Sequence, residues 1–145
     1  MRRRWLVLLI GLTFVVNPGA VSACSCVPFS KPELVANAYV IFTGTVTGVG
    51  RGFAFGLGCT VSSADPVSVT FDVESIYKGD APRQVTVSTV ASGASCGYTF
   101  EVGKRYTVFP WALDGKLDAG LCRGNVEGTI VAAQYGLPEG HSPRN

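Results

Sequence analysis

Two cysteines separated by one serine, Cys24-Ser25-Cys26, follow directly on an apolar leader, and this placement constrains the chain more than any other feature. Arg2, Arg3 and Arg4 form a basic start, and Trp5 to Val16 make an apolar run too short to span a bilayer. Asn17-Pro18-Gly19 breaks that run, and Val21-Ser22-Ala23 supplies small residues before a cut. Residues 1–23 therefore read as a secretory signal peptide, with Cys24 as the first residue of the exported chain. All five cysteines (Cys24, Cys26, Cys59, Cys96 and Cys122) lie in that exported part, where oxidising conditions permit bridges. Five is odd, so at least one is unpaired, modified or shared between molecules.

The leader has a second reading. Val21-Ser22-Ala23-Cys24 also satisfies a lipoprotein cleavage box, which would acylate Cys24 and leave four cysteines, an even number. Against this, Asn17-Pro18-Gly19 separates the apolar core from the box, as in ordinary secreted precursors. Secretion is the expectation, and a membrane enters only if Cys24 is lipidated. Export also changes the charge. Three of the twelve basic residues fall in the leader, so the mature chain sets nine against ten acids, a net of −1. The formal +2 of the whole chain is thus no sign of nucleic-acid binding.

Along the mature chain the hydrophobic period changes once. Ser30 to Ala38 has helical signals: Ser30 as cap, Pro32 in the first turn, Glu33 at the positive end, and Leu34, Val35 and Ala38 on one face. From Tyr39 onward the period is two. Strands are expected over 39–49, 66–76, 83–90, 105–109 and 116–121. The second alternates cleanly, with Val67, Val69, Phe71 and Val73 on one face and Ser68, Thr70, Asp72 and Glu74 on the other. Residues 50–65 form a Gly-rich loop carrying Cys59, and 126–135 suggests a short helix. The expected fold is all-β: a small five-stranded barrel, closed or partly open, with a short N-terminal helix and a possible short C-terminal one. It occupies 24–124, followed by a partly disordered extension over 125–145.

Cys24 and Cys26 sit two apart in an extended segment, so both side chains point the same way. Each needs its own distant partner, and Cys96 and Cys122, just outside expected strands, are the natural candidates. Such bridges would close loops of about 70 and 100 residues, each stabilising by roughly 4–5 kcal/mol in the chain-entropy model. Spacing alone leaves the connectivity open.

Cys24-Ser25-Cys26-Val27-Pro28 at the mature start, Val40 to Val46, Ser95-Cys96-Gly97 leading to Gly103-Lys104-Arg105-Tyr106, and Leu121-Cys122 together resemble a netrin-like domain. The chain is most similar to the tissue inhibitor of metalloproteinases family, in a compact bacterial form. That resemblance implies an OB-type barrel, the pairs Cys24–Cys96 and Cys26–Cys122, and an unpaired Cys59. It also implies a protease-contacting ridge of Cys24, Ser25, Cys26, Val27 and Pro28, flanked by Ala94 and Ser95. In the family, the amine and carbonyl of the first cysteine chelate the zinc of a target protease, and here that residue is Cys24. Metal binding of this kind goes only to the target's zinc, and no cofactor is expected.

Departures from the family pattern are also legible. A second domain and a third bridge of the animal inhibitors have no counterpart here, and the Gly-rich 50–65 loop stands where those proteins have a reaching loop. No enzyme is expected: His141 is the sole histidine and lies in the tail, unsuited to a hydrolytic triad. Asp72 and Glu74 read as a solvated strand face rather than paired catalytic carboxylates. Trp111, after Pro110, is expected to be exposed, and nucleic acid is not an expected partner. The expectation is a secreted, non-enzymatic, candidate metalloprotease inhibitor; the alternative is an envelope-associated binding or structural module of the same fold.

Overall fold

The computed structural model describes residues 24–51, 62 and 64–144. The leader, Cys59 and most of the Gly-rich loop lie outside these residues. The elements are helix α1 (Lys31–Asn37) and strands β1 (Ile41–Arg51), β2 (Pro66–Lys78), β3 (Gln84–Val90), β4 (Arg105–Val108), β5 (Trp111–Leu113), β6 (Lys116–Asp118) and β7 (Val126–Glu127). Short 3-10 turns cover Gly93–Ser95, Leu121–Arg123 and Ala132–Tyr135.

The all-β expectation holds, but the five-stranded barrel does not. The sheet is an open ladder of seven strands in the order β5-β6-β3-β2-β1-β4-β7. Pro110 is one cause: it offers no N–H to a ladder, so the chain past β4 breaks at Phe109-Pro110 and resumes as β5. The other is the segment after Gly124. Val126 and Glu127 pair with β4, and only Ala132–Tyr135 turns helically, as a 3-10 turn, so no helix spans 126–135. β4 and β5 stand towards opposite ends of the ladder, yet three chain steps, at most about 11 Å, join Val108 to Trp111. The sheet must therefore curl until its flanks approach each other.

β1 and β2 form the spine of this curl, pairing antiparallel from Ile41↔Lys78 to Arg51↔Val67. Their backbones press together at a register shift beside Gly44, where a Cβ would stand 2.7 Å from the Asp72 carbonyl oxygen. The concave side holds Phe42, Phe71, Phe100 and Tyr106 in edge-to-face contacts, with centroids 5.3 Å apart for Phe71–Phe100 and 5.1 Å for Phe100–Tyr106. A second core lies on the opposite face of β1, where Ile41, Tyr77 and Phe109 meet Ala38 from the helix end and Ala132 from the last turn. The start of β1 is consequently buried on both faces. Thr43 is accommodated there because its hydroxyl shares a hydrogen bond with Thr107 at 2.8 Å, and Thr107 also donates to the Gly128 carbonyl.

Helix α1 starts where Ser30 places it: its backbone N–H and hydroxyl both donate to the Glu33 carboxylate, at 2.8 and 2.6 Å. These bonds hold the Glu33 pKa below its ordinary value. At the other end, Lys78 of β2 reaches across to the carbonyls of Val35, Ala36 and Ala38. The chain from Leu137 onward is also tied down. His141 exchanges backbone hydrogen bonds with Ile76, and Arg144 pairs with Asp80 at 2.9 Å.

Candidate functional site

The ridge begins at two disulfides, Cys24–Cys96 and Cys26–Cys122, each with Cα atoms 5.3 Å apart. This is the pairing that the family resemblance implies, and it closes loops across 72 and 96 residues. The partner cysteines are brought together by backbone, not by sulfur alone. The Leu121 amide donates to the Cys96 carbonyl at 2.8 Å, and the Ala119 amide to Ser88 of β3 at 2.8 Å. The three sulfurs of Cys24, Cys96 and Cys122 all lie within 4.8 Å of one another. Being bridged, they offer no thiolate to a metal.

The connector that carries Cys96 is folded tightly onto β3. Ser92 caps its turn, accepting from the Ala94 amide at 3.2 Å, and the Gly97 amide returns to the Ser92 carbonyl. Gly97 is required by space: a Cβ there would stand 2.1 Å from the Val90 carbonyl oxygen. Cys96 itself is held at φ +65°, a left-handed conformation costly for a side chain with a Cβ. Ala94 is exposed and Ser95 half-buried, and the Cys24–Cys96 bridge sets both beside the start of the ridge.

Outward from the bridges, Ser25, Cys26, Val27 and Pro28 are exposed, Val27 to 74%. An exposed valine in a doubly stapled segment is an apolar prong. Leu121 (38%) and Leu113 (52%) are also exposed, and Leu113 borders a recess of about 290 Å³ that runs under Cys96 and Cys122. The far end of the ridge is fastened by Phe29, whose ring meets Trp111 edge-on with centroids 5.8 Å apart. Trp111 is half-buried, not exposed as the sequence suggests, because Arg123 covers it: the guanidinium lies 3.9 Å from the ring centroid. Arg123 is in turn held by Asp118 at 2.6 Å.

Three of these supports, Arg123, Asp118 and Asn125, escape a reading of the sequence. Asn125 donates to the carbonyls of Ala119 and Gly120 and accepts from the Phe109 amide, fixing the β4–β5 break against the Cys122 turn. The only sequence signal is a polar residue after Gly124, which marks a turn without saying what it joins. The acids weighed in the sequence are separately engaged: Asp72 with Arg83 at 3.1 Å, and Glu74 with Arg105 at 2.9 Å. Beyond the bridge, Tyr98 packs on Phe100 and Tyr106, and burial pushes its hydroxyl pKa up. Comparison with models of known protein families finds no match to this chain, and comparison with curated proteins finds none either.

Proposed function

We propose that this chain is a secreted, non-enzymatic, netrin-like domain that inhibits a zinc metalloprotease through its Cys24 ridge. The observation that carries this reading is the rigid exposed segment Ser25–Pro28, fastened by a bridge at each of Cys24 and Cys26 and by Phe29 on Trp111. Such a segment enters a cleft with little ordering entropy left to lose. Cleavage before Cys24 would free an α-amine next to the Cys24 carbonyl, two neutral donors suited to the open position of a catalytic zinc. Val27 would then lie along the cleft, and Ala94 and Ser95 would widen the contact. An OB-type chain path is supported by the curl of the sheet, in which β4 and β5, joined through Phe109-Pro110, serve opposite flanks.

The lipid-anchored alternative requires the Cys24 sulfur as a thioether. A sulfur bridged to Cys96 is not available for that bond, which supports secretion and makes Cys59 the odd cysteine. The test compares protein beginning at Cys24 with protein carrying one added alanine before it, against a panel of zinc metalloproteases. Inhibition by the first and loss of at least about a hundredfold in the second is expected, the scale of a lost charge-polarised metal contact. Equal inhibition by both forms refutes chelation, and inhibition by neither refutes the function.

A further inference from the structure

The two bridges sit closer to one another than stapling a chain requires. Sulfurs from both, those of Cys24, Cys96 and Cys122, fall within 4.8 Å of each other, while Cys26 and Cys96 are exposed to solvent. We propose that the paired bridges form a thiol–disulfide exchange site, at which an external thiol opens Cys26–Cys122 and the released Cys122 rearranges the second bridge.

The electrons balance without a further oxidant. A thiolate attacks the exposed Cys26 sulfur; a mixed disulfide forms there, the Cys26–Cys122 bond breaks, and its electron pair leaves on Cys122. The Cys122 thiolate then attacks Cys24. A Cys24–Cys122 bond forms, Cys24–Cys96 breaks, and the pair leaves on Cys96, which takes a proton from water. Attack of Cys96 on the mixed disulfide would return the external thiol and leave the alternative pairing Cys24–Cys122 with Cys26–Cys96. The external thiol thus acts as a catalyst of isomerisation.

Two features keep the reacting sulfurs in place along this route. The loops that carry Cys96 and Cys122 are joined by the Leu121 to Cys96 backbone hydrogen bond, so Cys122 stays near the second bridge after its own has opened. Cys96 is fixed at the end of the Gly93–Ser95 turn by its amide bond to the Gly93 carbonyl at 3.1 Å, so its exposed sulfur keeps its place when the bond to Cys24 breaks. This inference concerns the sulfurs and does not depend on protease inhibition.

The experiment treats native protein with less than one equivalent of glutathione, quenches by alkylation, and maps bridges by non-reducing peptide mass spectrometry. The expected species are the intermediate, with glutathione on Cys26, alkylated Cys96 and a new bridge from Cys122 to Cys24, and the completed isomer that pairs Cys24 with Cys122 and Cys26 with Cys96. Glutathione on Cys26 with alkylated Cys122 and an intact Cys24–Cys96 bridge overturns the proposal, as does recovery of the two native bridges alone. A Cys59→Ser variant run in parallel should rearrange at an unchanged rate. Loss of rearrangement in that variant would make Cys59 the attacking sulfur and also overturn it.

Discussion

The guanidinium of Arg123 lies over Trp111, 3.9 Å from its ring centroid, while Phe29 meets the same ring from the ridge. One residue after a bridged cysteine thereby clamps the aromatic that fastens the far end of the Cys24 segment. The ridge is held by three attachments within six residues, and the third is not covalent.

That third attachment is separable by mutation. The Trp111 indole N–H is buried without a hydrogen-bond partner among the described residues, a cost of about 1–3 kcal/mol. Trp111→Phe keeps an aromatic ring and removes that donor, so its stability should stay within about 1 kcal/mol of wild type. Trp111→Ala should lose about 3 kcal/mol by denaturant unfolding and loosen Phe29. Equal losses in the two variants would mean that the ring contacts are not what matters.

Gly97 sets the position of Cys96. Gly97→Ala places a Cβ against the Val90 carbonyl, so the connector must move, at a cost of about 2 kcal/mol or more. Non-reducing peptide mapping should then show incomplete Cys24–Cys96 pairing. Full pairing with unchanged stability would contradict the tight connector.

Lys78 closes the C-terminal end of a helix whose own last turn has no basic residue. Lys78→Met leaves three carbonyls without that cation, and a loss of about 2 kcal/mol is expected in urea unfolding with the slope unchanged. A change below the measurement error would show that water replaces the lysine at no cost.

Two groups should shape the pH dependence of stability. Glu33 has its pKa lowered by the Ser30 hydroxyl and amide, so its contribution is present above the ordinary value of 4.5 and is lost as pH falls through the folded value. Tyr98 has its pKa raised by burial, so stability is full below its ordinary value of 10.0 and declines as pH rises beyond it. Glu33→Gln should flatten the acid limb of a urea-midpoint profile, and Tyr98→Phe the alkaline limb. Profiles parallel to wild type would contradict both assignments.

Much of the fold was legible where burial is one-sided. β2 alternates because one face meets Phe42 and Tyr106 and the other meets water, so its start and inward residues follow from period two, whereas its last two residues, Tyr77 and Lys78, extend past the expected end because Tyr77 is buried in the second core. β1 hides that signal at its start, since Ile41 and Thr43 face a second core built by α1 and the last 3-10 turn. The strand count failed at Pro110 and at Val126, where local propensity says little: a short hairpin pairs β5 with β6, and pairing with the more distant β4 makes β7. At the site, the cysteines announced themselves through spacing. Arg123, Asp118 and Asn125 did not, because an ion pair, a ring contact and a turn-to-strand hydrogen bond have no periodicity.

The account rests on a ridge that begins at Cys24, with the Cys24 sulfur bridged to Cys96 and the mature chain starting at that residue. Intact and non-reducing peptide mass spectrometry of the exported protein tests this most directly. A chain beginning at unmodified Cys24, linked to Cys96, with Cys26 linked to Cys122, is the predicted result. A diacylglycerol mass on Cys24, or a mature start elsewhere, would contradict it.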